Sequence, residues 1–158
     1  MSFFKKPSTF GAAAAVALAL SPALADAQGN SPPEPMAGEW FVKTERAMEF
    51  AMFGAPETDP AIALTCDPAS DELIFALSDE STGLHRFTLA ANGATLSLDL
   101  AGDKNVALPY LEGGVDPSHA VIAAMVRAGQ TVTLTYPDGT AITLPADPAI
   151  APVVEACS

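Results

Sequence analysis

The residues of this 158-residue chain best suited to chemistry are His85, His119, Cys66 and Cys157, set among nineteen acidic side chains. A histidine can serve as general base or metal ligand near neutral pH. His119 directly follows Ser118, but adjacent residues do not make a nucleophile and base. The base must reach the hydroxyl from a separate element and be oriented by a third group. His119 therefore reads as an ordinary helix residue. His85 opens an alternating run and reads as a histidine at a sheet margin. A metal site made from both histidines and a carboxylate finds no support in their spacing. The acidic pairs Asp71-Glu72 and Asp79-Glu80 read as solvated loop residues, and the chain has no EF-hand spacing. It also lacks GxSxG, P-loop, HExxH and dinucleotide-binding glycine patterns. Gly113-Gly114 comes before the expected helix without the further glycines or βαβ setting that such a fingerprint needs. No catalytic, cofactor-binding or metal residue is assigned.

Cys66 and Cys157 have neither CxxC spacing nor a histidine cluster nearby, which argues against a reactive or metal-binding pair. Their expected state follows from the N-terminus. Lys5 and Lys6 precede an apolar, alanine-rich stretch at 10–20, and Ala23-Leu24-Ala25 places small residues where a signal peptidase reads them. Cleavage is expected after Ala25, with Ala27 as a near alternative because Ala25-Asp26-Ala27 also fits. The apolar stretch is too short to span a bilayer, and no stop-transfer segment follows. The reading is an exported protein, periplasmic or secreted, without a membrane span after cleavage. In that oxidising setting the two cysteines are expected to form one disulfide.

Residues 26–158 are the size of a single domain. The whole chain carries a formal charge of −12, and the leading 25 residues hold two of its seven basic residues and none of the acidic ones. What remains is more acidic still. Such a surface repels phosphate backbones and anionic lipid headgroups, which excludes nucleic acid and argues against an anionic membrane surface as partner.

The elements that must position these residues are mostly strands. Residues 26–38 hold three prolines and two glycines and read as a flexible leader, so the domain is expected over 39–158. From 39 to 110 the apolar period is two. Trp40 and Val42 alternate with Phe41 and Lys43, Phe50 and Met52 mark a second strand, Ile62, Leu64 and Cys66 share a face, and so do Leu73, Phe75 and Leu77. Asn92-Gly93 favours a two-residue type I′ turn. That turn places Phe87 opposite Leu98 and Leu89 opposite Leu96 on one face. On the other face Arg86 opposes Asp99, Thr88 opposes Ser97 and Ala90 opposes Thr95. Asp116-Pro117 reads as N-cap and first residue of a helix over 117–128, with Gly129 at its C′ position. Tyr136-Pro137-Asp138-Gly139 reads as a turn with a glycine bulge that pairs Leu134 with Ile142 and Val132 with Leu144. After Pro145 an irregular turn is expected, then a short helical turn or extended tail carrying Cys157. The fold class is all-β: an antiparallel sandwich or partly open barrel of seven to nine strands with one helix near the C-terminus. Trp40 reads as a core anchor.

The signal peptide, the Trp40-Phe41-Val42 strand start and the helix running into RAGQTVTLTY at 127–136 resemble exported bacterial proteins of the invasion-associated locus B type. The likeness covers about a third of the mature chain. It implies an exported β-sandwich and carries over no catalytic residue. The chain departs from that pattern in lacking a cysteine soon after the tryptophan and in having a single, widely separated cysteine pair.

Three functions are expected from this reading. The first is a non-enzymatic exported protein that binds a protein or an envelope component. The second is an apolar small-ligand binder with a β-barrel cavity lined by Phe50, Phe75, Phe87 and Met125. The third, least supported by pattern, is a small hydrolase using His85 or His119 with nearby acids.

Overall fold

The computed structural model describes residues 32–45, 48–67, 69–102 and 109–158. The signal-peptide reading and most of the leader lie outside the described residues. Ten strands make one sheet: β1 (Glu34–Pro35), β2 (Glu39–Glu45), β3 (Met48–Gly54), β4 (Ile62–Asp67), β5 (Glu72–Ser78), β6 (Gly83–Ala91), β7 (Ala94–Gly102), β8 (Tyr110–Val115), β9 (Thr131–Thr135) and β10 (Ala141–Pro145). Their order is β1-β10-β9-β6-β7-β8-β5-β4-β3-β2. All neighbours are antiparallel except β1, which lies parallel to β10.

The sheet curls until the edge strand β2 reaches β10, the strand next to the opposite edge. Trp40, on the edge strand β2, donates its indole Nε1–H to the Pro145 carbonyl at the end of β10, at 2.7 Å. Its ring lies 5.3 Å from that of Phe53, its cross-strand partner on β3. The result is the all-β, partly open barrel expected from the sequence, with Trp40 as the anchor at its seam.

The concave side is filled rather than hollow. Helix α1 (Ala120–Met125) buries Val121, Ile122, Ala124 and Met125 against β6, β7 and β9. A 3₁₀ turn at Pro148–Ile150 and helix α2 (Ala151–Glu155) bury Ile150, Val153 and Val154 against β2, β3 and β4. Pro152 falls in the first turn of α2, where its missing N–H costs nothing, and the helical path changes type just before it. These helices meet the inward rows of the sheet, including Phe53, Leu64, Phe75, Phe87 and Leu100, to make one core.

Both hairpins adopt the registers their turns dictate. Asn92 and Gly93 have φ of 51° and 78°, as a type I′ turn requires. Phe87–Leu98, Leu89–Leu96 and Arg86–Asp99 pair as expected. Arg86 holds Asp99 by two nitrogens, at 2.7 and 3.0 Å. Leu134–Ile142 and Val132–Leu144 also pair, with Gly139 at φ 88°.

The structure differs from the sequence reading in three places. The ordered fold starts before Glu39: Glu34 and Pro35 pair with Ile142 and Thr143, and the Met36 N–H reaches the Thr143 carbonyl at 2.9 Å. The free edge of β10 captures part of what reads as leader. The first helix is also shorter than 117–128. Asp116 bends the chain through Ser118, leaving His119 extended at ψ 140°, so that His119 and not Asp116 caps α1. Finally, the sheet has ten strands rather than seven to nine, because the leader supplies β1 as an extra edge strand, while the tail takes the short helical form that was one of its two expected outcomes.

Cys66 on β4 and Cys157 after α2 form the expected disulfide, with Cα atoms 5.5 Å apart and the two residues 91 positions apart in sequence. It fastens the tail that fills the concave side. Closing a loop of this length removes roughly 4–5 kcal/mol of unfolded-chain entropy as an upper estimate.

Candidate functional site: an apolar groove on the outward face

An antiparallel sheet packed on one side is ordinarily polar on the other. Here that alternation fails over β2 to β5. The outward residues form two rows across the strands. One row runs Phe41, Met52, Ala63, Ala76 and Glu112; the other runs Lys43, Phe50, Thr65, Ile74 and Gly114. Small side chains at Ala63 and Ala76 leave a floor between the bulkier Phe50, Met52 and Ile74. The resulting groove has a volume of about 310 Å³.

One wall comes from the connection between β3 and β4. Gly54 lets it fold back onto the outward face, since a Cβ there would sit 3.2 Å from the Pro60 Cα. The Tyr110 hydroxyl donates to the Pro60 carbonyl at 3.2 Å and ties the connection to β8. Asp59, Tyr110 and Glu112 form this end of the groove, while Lys43 and Glu45, 3.2 Å apart, form the other. Burial raises the Tyr110 phenol above its usual range, and the negative charges of Asp59 and Glu112 raise it further. Phe41, 39% exposed, extends the apolar row to the sheet edge.

The residues singled out for chemistry lie elsewhere. His119 Nδ1 accepts the Val121 N–H at 3.2 Å, which leaves the ring proton on Nε2. Ser118 points its hydroxyl at Asp116, at 2.6 Å, and not at the histidine. His85 Nε2 contacts the Thr82 carbonyl at 3.1 Å. The aspartates are largely occupied with shaping turns. Asp67, Asp79, Asp116, Asp138 and Asp147 each accept the backbone N–H two residues on, at 2.7–2.9 Å. Asp71 sits in a turn at φ 52°, and Glu72 begins β5 rather than lying in a loop. Among the described residues no three His, Cys, Asp or Glu side chains gather as a metal site. Gly113 and Gly114 lie within β8, where a Cβ on Gly113 would strike the Asp99 carbonyl.

The four residues expected to line a barrel cavity do not share one. Phe75, Phe87 and Met125 are buried in the core, whereas Phe50 is on the opposite face of the sheet in the groove. The groove itself was not anticipated, although its signal is in the sequence. LIFAL at 73–77 and AMF at 51–53 are apolar at consecutive positions, so both faces of β3 and β5 are apolar. The period-two reading took account of one face.

No protein-family model matches this chain, and neither a curated protein nor a solved structure is significantly similar to it.

Proposed function

We propose that this is an exported, non-enzymatic binding protein that uses the outward groove to hold an apolar part of a protein or envelope component. The observation that carries this reading is the apolar outward face of β2 to β5, where an antiparallel sheet is ordinarily polar. An apolar concavity with a few convergent polar groups is the default candidate for a binding site. The side chains that catalysis would recruit, His119, Ser118 and the turn aspartates, are engaged in capping and turn formation. Export is supported by the signal-peptide pattern of the first 25 residues and is compatible with the disulfide. A small apolar ligand remains the second reading, moved from a barrel interior to the groove, because Ala63 and Ala76 leave a defined floor.

The test has two parts. Mass spectrometry of material recovered outside the cytoplasm should give an N-terminus at Asp26 or, for the alternative cleavage, at Gln28. A benzophenone side chain in place of Phe41 should cross-link to a partner in cells, while one in place of Thr95, on the far strand β7, should not. Equal cross-linking from both positions, or none from Phe41, would contradict the assignment.

A further inference from the structure

Resting on the groove reading, we infer that the groove selects an amphiphilic cation, with its apolar body over Ala63 and Ala76 and its amine at the Asp59–Tyr110–Glu112 end. The two ends of the groove differ in charge. At the β2 end Lys43 is paired with Glu45. At the β8 end two carboxylates flank an aromatic ring, and among the described residues neither carboxylate has a cationic partner. A protonated or quaternary amine suits that end twice over, by attraction to the carboxylates and by contact with the phenol ring. An anionic headgroup would be repelled there. A neutral chain would cover the carboxylates without compensating them. The net charge of −12 adds long-range attraction for a cation.

The floor also favours an amphiphile over an extended peptide. β3, β4 and β5 each have a strand on both sides, so their main-chain groups are taken up by the sheet. A ligand lying across them meets side-chain surface only. The groove crosses from β8 to β2, four strand spacings or about 19 Å, so a hydrocarbon chain anchored at Tyr110 runs along apolar side chains toward Phe50.

Calorimetric titration of the exported protein with three dodecyl probes below their micelle concentrations tests this. Dodecyltrimethylammonium should bind about tenfold more tightly than dodecyl maltoside, and dodecyl sulfate more weakly than either. The cation's advantage should shrink in 0.5 M salt, as roughly a 4 Å screening length requires. Replacing both carboxylates, Asp59→Asn with Glu112→Gln, should bring the cation to the affinity of the maltoside and leave the maltoside unchanged. Equal affinities for all three probes in the wild-type protein would overturn the charge selectivity and leave the groove reading standing. Absence of saturable binding by every probe would overturn both.

Discussion

Replacing Trp40 by Phe isolates the hydrogen bond that joins β2 to β10 across the seam. The phenyl ring keeps the tilted contact with Phe53 but cannot donate to the Pro145 carbonyl. A buried acceptor left without a donor costs about 1–3 kcal/mol. Pro145 is exposed, so water can reach its carbonyl and the cost falls toward the lower limit. The smaller ring also gives up some buried apolar area, at about 25 cal/mol per Å². Together these place Trp40→Phe at about 1–2 kcal/mol, and Trp40→Ala, which also removes the ring contact, at about 3–5 kcal/mol. Urea titration followed by circular dichroism measures both. The midpoint should fall in that order with an unchanged slope, because the same surface is exposed on unfolding. A wild-type midpoint for Trp40→Phe would show that the seam does not depend on the indole bond. Equal losses for the two variants would show that the ring contact contributes nothing.

Other consequences follow from the tail, the turns and the titrating groups. Removing the disulfide with Cys66→Ala and Cys157→Ala should cost roughly 2–5 kcal/mol and should raise hydrogen exchange first in α2; thiol titration of the denatured, unreduced wild-type protein should find no free thiol. Gly129 has φ 74° with open space around it, so Gly129→Val should cost roughly 1 kcal/mol or more from backbone strain alone, read as a lower melting temperature. Stability should be lost in acid. The Ala69 N–H and Ser70 hydroxyl hold Asp67 below its usual value of 3.8, Ser81 does the same for Asp79, Arg86 for Asp99, Ser118 for Asp116 and Thr140 for Asp138. A carboxyl group depressed in the folded state contributes above its unfolded value, so urea midpoints should hold from pH 7 to 5 and fall as pH drops through and below 3.8. At the alkaline end, burial raises Tyr110 and Tyr136 above 10.0, and stability should decline as pH rises past that value.

What was legible in the sequence is what local chemistry dictates. Asn92-Gly93 and Asp138-Gly139 demand particular turns, and those turns fix registers that the apolar pairs then confirm. The disulfide was legible because the chain has only two cysteines, which the signal-peptide pattern assigns to an oxidising compartment as an expectation. What escaped depends on contacts distant in sequence. The capture of Glu34 and Pro35 requires the free edge of β10, more than a hundred residues away. The start of α1 turned on a competition between Asp116 as cap and Asp116 as turn former, which the Ser118 bonds decide. The histidines and acidic pairs stand out in the sequence, but the groove is assembled from Phe41, Met52, Ala63 and Ala76 on four strands. Only the sheet order reveals that their outward side chains form one surface.

Binding at the outward face is tested most directly by a methyl chemical-shift map. Titrating the labelled protein with dodecyl maltoside below its micelle concentration should move Met52, Ala63, Ile74 and Ala76 saturably. Inward Leu64, Leu77 and Ile122 should stay in place, and Ala63→Trp, which fills the floor, should abolish the shifts while the protein remains folded. Shifts confined to the inward methyls, or no saturable shift at the outward ones, would contradict it.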